Sequence, residues 1–380
     1  MGQACSSKSA AEPESNAGSA AASSTLGPGP EKAAENFRER RLSVSQIREP
    51  GAKGAARNRR LSVYGATAEQ DGPNRVTVSP MSTCGCKSVG GVEPVPGGST
   101  AKINQDRALA IYPFMQEQAT GLFGVFDGHG RIGEQVSQYV IDTLPKVLAE
   151  HPSVSTNPAA ALEESFENVD HTLANHCDAG VSGTTAVAAL IRGNHMWLAN
   201  SGDSRAIIAR QKGGSKGTSY KPIDLTVDQK PDTPAEMQRI LSMGGHVTPA
   251  GANGSPSRVW YNLRGLAMAR SIGDHNAATV GVIAKPEVTE HEITDDDVAL
   301  VIASDGVWEL LSSQTVVDLV ATVKDLDPEK ICEKIIDQSS YMWKVEEGDY
   351  RDDITVVVLT FPWLDSYGEE GPVQPDEQAS

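Results

Sequence analysis

The chain has 380 residues, 39% of them hydrophobic, and a formal net charge of −17. That length allows one large or two modest domains with a substantial core, and the acidic balance excludes general nucleic-acid binding, which needs a basic surface to neutralise phosphate. No apolar run approaches the roughly 20 residues that cross a bilayer, and five scattered cysteines (Cys5, Cys84, Cys86, Cys177, Cys332) are too few for a disulfide framework and fit a reducing compartment.

Residues 1–75 are rich in Ala, Ser, Gly, Pro and charge and lack apolar periodicity, so they bury too little surface to offset ordering entropy. They read as a disordered arm. It opens Met1-Gly2-Gln3-Ala4-Cys5-Ser6, the pattern for myristoylation of Gly2, with Cys5 placed to take palmitate. One acyl chain holds a membrane only marginally, whereas two, or one with a basic segment, hold it stably. A basic stretch follows, with Arg38, Arg40, Arg41, Arg48, Lys53, Arg57, Arg59 and Arg60. The arm therefore predicts a cytoplasmic, lipid-anchored, peripheral membrane protein. Arg-Arg-Leu-Ser-Val occurs twice, placing Ser43 and Ser62 as candidate phosphosites whose phosphates would weaken attraction to anionic lipid.

From residue 76 to 363 the pattern is that of a folded domain. Strand-like runs cover Leu109–Tyr112, Leu122–Phe126, Thr184–Ile191, Met196–Ala199, Ala206–Ala209, Ala299–Ala303 and Ile354–Thr360. Spacings of three and four predict helices over Glu134–Glu150, Asn157–Ala174, Pro234–Met243, Ser313–Val323 and Pro328–Met342, with Thr233 and Asp327 as N-caps before Pro. Strands and helices do not alternate singly, which points to an α+β fold of antiparallel sheets flanked by helix pairs rather than a doubly wound sheet. Cys84-Gly-Cys86 reads as ordinary thiols or half a zinc site. Residues 364–380 read as an acidic, disordered tail.

Five acidic turns punctuate the domain: Asp127-Gly128, Asp203, Asp274, Asp305-Gly306 and Asp352-Asp353. Buried unpaired carboxylates are costly, so divalent cations are natural partners, and oxygen-only ligation selects Mg²⁺ or Mn²⁺ over zinc. Two cations about 4 Å apart can hold a bridging water, lower its pKa and clamp a phosphoryl group, which makes phosphomonoester hydrolysis the expected reaction. His129 is a candidate general acid, or else a histidine that caps the Gly-rich turn. No cysteine sits in a phosphate loop, and neither a Walker lysine loop nor a dinucleotide-binding glycine fingerprint appears.

Eight segments in order, Asn104-Gln105-Asp106, Phe126-Asp127-Gly128-His129-Gly130, Ser182-Gly-Thr-Thr185, Asn200-Ser-Gly-Asp-Ser-Arg205, Asp228-Gln-Lys-Pro231, Leu266 to Asp274, Ala303 to Trp308 and Arg351-Asp-Asp-Ile-Thr355, resemble the metal-dependent Ser/Thr protein phosphatases of type 2C. The resemblance implies a four-layer αββα sandwich, phosphoprotein substrates and two Mg²⁺ or Mn²⁺ ions per domain, with a weaker third. It implies that Asp127 bridges both ions, that the Gly128 carbonyl serves one, that Asp305 and Asp352 complete the other, and that Asp106 belongs to the metal site. Asp203 with Asp305 would form the third position, and His129 would be the general acid. Gln105 stands where many members have Glu, Glu309 where Asp is usual, and Ala101-Lys102 near a usual phosphate-binding Arg. These departures keep an alternative open: a pseudophosphatase acting as a membrane-anchored phosphoprotein-binding module. A monomeric catalytic domain is expected.

Overall fold

The structure is a computed structural model that describes residues 64–65, 82–213, 219–252 and 254–364. Two antiparallel sheets lie at its centre. The first holds, in spatial order, Tyr64–Gly65, Arg107–Tyr112, Thr120–Phe126, Ala186–Arg192, His195–Ser201 and Glu287–Glu292, with the two-residue Tyr64–Gly65 strand alone running parallel to its neighbour. The second holds Tyr220–Asp224, Arg205–Gln211, Asp297–Ala303, Ile354–Thr360 and Cys84–Val89.

The sheets face each other across a core that includes Ala110, Phe123, Val125 and Val187 from one and Ile208, Leu300, Ile302 and Val357 from the other. Each outer face is covered by two helices. Gly133–Ala149 and Pro158–Leu173 bury Val140, Leu144, Leu162 and Phe166 against the first sheet. Ser313–Ala321 and Pro328–Glu347 bury Val317, Ile331, Ile335 and Trp343 against the second. The layers are thus αββα, the α+β class expected. Central strands are shielded on both faces, so Thr120–Phe126, Asp297–Ala303 and Ile354–Thr360 are buried throughout and read as continuous apolar runs. Each fully buried Leu, Ile or Phe contributes about 1.5–3 kcal/mol.

The helix starts follow from capping. Asn157 accepts from the Ala160 amide and Asp327 from the Lys330 amide, each before a proline in the first turn. Thr233 differs: it precedes Pro234–Ser242, but its side chain makes no capping bond. That helix and the three-stranded sheet of His246–Thr248, Arg258–Tyr261 and Arg264–Leu266 share a separate small core around Ile240, Val247, Val259 and Leu266. Cys84-Gly-Cys86 lies in an edge strand with both cysteines buried, and burial pushes the Cys86 thiol up, so these are packed thiols. Among the described residues no helix is long and apolar enough to cross a membrane.

Candidate metal and active site

Strand register gathers the acidic turns. Arg107 pairs with Phe126, which sets Asp106 beside Asp127 at adjoining strand ends. Arg205 pairs with Ala303, and Ala303 with Val356, so Asp203, Asp305 and Asp352 arrive together at one end of the second sheet. The two clusters face each other across the sandwich. Burial, and then the charges of Asp106, Asp305, Asp352 and Asp203, push the Asp127 carboxyl well above its usual range. Asp106 is pushed up to about 7 by burial and by Asp353, against hydrogen bonds that include the Ser304 hydroxyl at 2.7 Å. Five carboxylates far apart in sequence therefore share one electrostatic neighbourhood.

Backbone geometry frames Asp127. Its amide donates to Thr185 Oγ1 at 3.1 Å, and its carbonyl accepts from the Thr185 amide at 2.9 Å. The next residue must be glycine for a steric reason: a Cβ on Gly128 would lie 2.5 Å from the carbonyl oxygens of both Gln105 and Gly133. His129 Nε2 lies 2.6 Å from Asp274 Oδ2, which also accepts from Ser271 Oγ at 2.7 Å. Burial disfavours the imidazolium, but the Asp274 charge and hydrogen bond outweigh it and the histidine is held above its ordinary pKa. His129 is thus tied to an acid, not only a turn cap.

Several motif residues prove to be scaffolding. Arg205 grips Asp228 with two bonds of 2.9 and 2.8 Å and lies over the Trp308 ring at 5.2 Å. Asp353 accepts from the amides of Gly91 at 2.5 Å and Gln105 at 2.8 Å, so of the acidic pair only Asp352 faces the cluster as a candidate ligand. Gln105 Nε2 donates to the Gly130 carbonyl and to Glu134, each at 3.0 Å. Gly2, Cys5, Ser43 and Ser62 lie outside the described residues.

Sequence reasoning placed Lys102 only near the usual phosphate-binding position and gave Lys230 no role. Lys102 Nζ lies 2.7 Å from Asp352 Oδ1, and Lys230 Nζ lies 2.5 Å from Asp203 Oδ2. Lys102 is therefore engaged with a carboxylate, which argues against its standing in as the free phosphate contact. Among the described residues no three His, Cys, Asp or Glu side chains close into a ready-made metal cage. The donor set still suits hard divalent ions: it is all oxygen, the surrounding carboxylates push Asp127 up, and among the described residues Asp106 Oδ1 and Asp203 Oδ1 are buried without hydrogen-bond partners. A bound cation would remove that repulsion and satisfy those atoms.

The sequence profile for protein phosphatase 2C matches residues 97–345. The chain is 37% identical over 269 residues to probable protein phosphatase 2C 64 of Oryza sativa subsp. japonica, covering 68% of this chain and 62% of that protein. It is 36% identical over 285 residues to probable protein phosphatase 2C 61 of Arabidopsis thaliana, covering 72% and 85%. In fold it is similar to a serine-threonine phosphatase 2C from Toxoplasma gondii, with a TM-score of 0.61 at 19% identity, covering 72% of this chain and 98% of that one. A C. elegans sex-determining protein is also similar in fold, with a TM-score of 0.58 at 23% identity, covering 75% and 66%. Fold and site together define a metal-dependent protein phosphatase. The chain belongs to the protein phosphatase 2C family, whose members depend on Mg²⁺ or Mn²⁺.

Proposed function

We propose that the chain hydrolyses phosphoserine and phosphothreonine in proteins at a binuclear site. Asp127, the Gly128 carbonyl, Asp305 and Asp352 would hold the two ions, with Asp106 supporting Asp127 from the adjoining strand end. Bound Mg²⁺ or Mn²⁺ supplies Lewis acidity and lowers the pKa of a ligated water. The single observation that carries this reading is the convergence on Asp127 of four other carboxylates.

His129 supplies the proton. Asp274 holds Nε2, and Nδ1 makes no well-aligned hydrogen bond among the described residues, although the Asp127 backbone also favours the charged ring, so Nδ1 is the atom that would turn to a departing seryl or threonyl oxygen. Asp274 favours the charged ring and fixes its plane. Phosphopeptide hydrolysis with and without Mn²⁺, with Asp127→Asn and Asp305→Asn as controls, tests the reading. Metal-dependent phosphate release that both variants lose supports it. Metal-dependent phosphopeptide binding without turnover would establish the pseudophosphatase instead.

The same chain would sit on a membrane through acylated Gly2 and Cys5 and the basic arm, with phosphorylation at Ser43 and Ser62 weakening the electrostatic part. The coincidence of Gly2, Cys5, Ser6 and the arginine run supports this. Fractionation of wild-type and Gly2→Ala protein tests it. Release of the variant to the soluble fraction is expected, and an unchanged distribution would overturn the anchor.

A further inference from the structure

Lys230 follows Asp228 in the loop before helix Pro234–Ser242. Its ammonium donates to Asp203 Oδ2 at 2.5 Å and is also drawn by Asp305 and Asp228. The lysine side chain is 32% exposed whereas that of Asp203 is 3% exposed, so the amine reaches into the cluster from a solvent-facing stem. Asp203 and Asp305 are the pair assigned above to a weaker third ion.

The two oxygens of Asp203 are treated unequally. Oδ2 has the ammonium, whereas Oδ1 is buried with no hydrogen-bond partner among the described residues. Asp352 offers the contrast. Its Oδ1 accepts from Lys102 and the Asp353 amide, and its Oδ2 from the Tyr350 hydroxyl, so both of its oxygens are satisfied by protein. Asp203 keeps one oxygen that meets no donor among the described residues, beside a cation that can withdraw.

We propose that Lys230 is a tethered counter-ion that competes with a divalent cation for Asp203, so that the third ion binds only by displacing the ammonium. This deepens the binuclear reading and rests on it. An ammonium is a compact point charge on four rotatable carbons, suited to leave one carboxylate for solvent without disturbing the backbone. The competition makes the third position respond to metal concentration while the first two stay filled.

Titration of the full chain with Mn²⁺, followed by electron paramagnetic resonance of the free ion, tests this. Wild type is expected to bind two ions tightly and a third weakly. Lys230→Met should tighten the weak step about tenfold, as expected when a cation a few ångströms away is removed, and leave the tight steps in place as an internal check of folding. Lys230→Arg, which keeps a cation, should not tighten it. Asp203→Asn should abolish the weak step with or without Lys230. A weak step that Lys230→Met leaves unchanged or loosens, with both tight steps retained, would overturn the proposal alone. Absence of tight Mn²⁺ binding in wild type would overturn the binuclear reading and this inference with it.

Discussion

His129 and Asp274 form a partly buried pair 2.6 Å apart although 145 positions separate them in sequence. The pair exists because Ile272–Gly273 is hydrogen-bonded to Ser182–Thr184, which is itself hydrogen-bonded to Gly128–Gly130, so three short strands carry acid and imidazole to the same place. Asp274 takes a left-handed backbone conformation, φ +49°, that Asn also tolerates. Asp274→Asn therefore removes the charge and keeps the turn. It is expected to lower kcat for a phosphothreonine peptide by about tenfold to a hundredfold with little change in KM. Hydrolysis of an aryl phosphate, whose leaving group needs no proton, should suffer much less. Equal losses on both substrates would mean that Asp274 is only structural.

Glycine is demanded twice at the acidic cluster. A Cβ on Gly128 would stand 2.5 Å from two carbonyl oxygens, and one on Gly306 would stand 2.0 Å from the Asp353 carbonyl oxygen. Either Gly→Ala change must displace backbone that carries a candidate ligand, at a cost of about 3 kcal/mol. Denaturant titration should show that loss, and Mn²⁺ affinity should fall with it. A stable Gly128→Ala protein with undiminished Mn²⁺ affinity would contradict the assignment of its carbonyl.

Trp343 links the helix Pro328–Glu347 to the site. It is fully buried, and its Nε1 donates to the Gly306 carbonyl at 2.7 Å. Trp343→Phe keeps most of the packing but leaves that carbonyl unpaired, so it should cost about 2 kcal/mol in chemical denaturation. Because the carbonyl belongs to the turn that carries Asp305, activity should drop more than the folded fraction does.

Acid stability should depend on Asp297. Burial opposes its ionisation, but hydrogen bonds from His291, Arg210 and the Thr294 amide outweigh burial and bring the pKa down to about 2. The folded value lies below the unfolded one, so this carboxylate stabilises the fold above about pH 4. That contribution is lost as pH falls from about 4 to about 2, and amounts to about 2 kcal/mol. The difference in unfolding free energy between wild type and Asp297→Asn should therefore shrink over that window. A difference independent of pH would contradict it.

Much of this was legible in the sequence. Long buried strands such as Ile354–Thr360 announced themselves because both faces are covered, and the helices because their apolar spacing and Asn157 or Asp327 caps agree. Edge strands were harder: Cys84–Val89 has no branched run, and Glu287–Glu292 is polar at every position but Val288, with no residue fully buried. At the site, Asp127, Asp305 and Asp352 were readable from Asp at strand boundaries. The lysine contacts of Asp203 and Asp352 were not, because a side chain's partner is set by tertiary register, and nothing local marks Lys102 or Lys230 as pointing inward. For the same reason Asp352 and Asp353, adjacent and identical in type, could not be told apart until Asp353 was seen to be taken by two backbone amides.

The central claim is that Asp127 is shared by two cations. Anomalous diffraction from crystals of the chain grown with Mn²⁺ tests it most directly. Two peaks about 4 Å apart, both in contact with the Asp127 carboxylate, are predicted; Mn²⁺ found only at surface positions, with none at Asp127, would contradict the account.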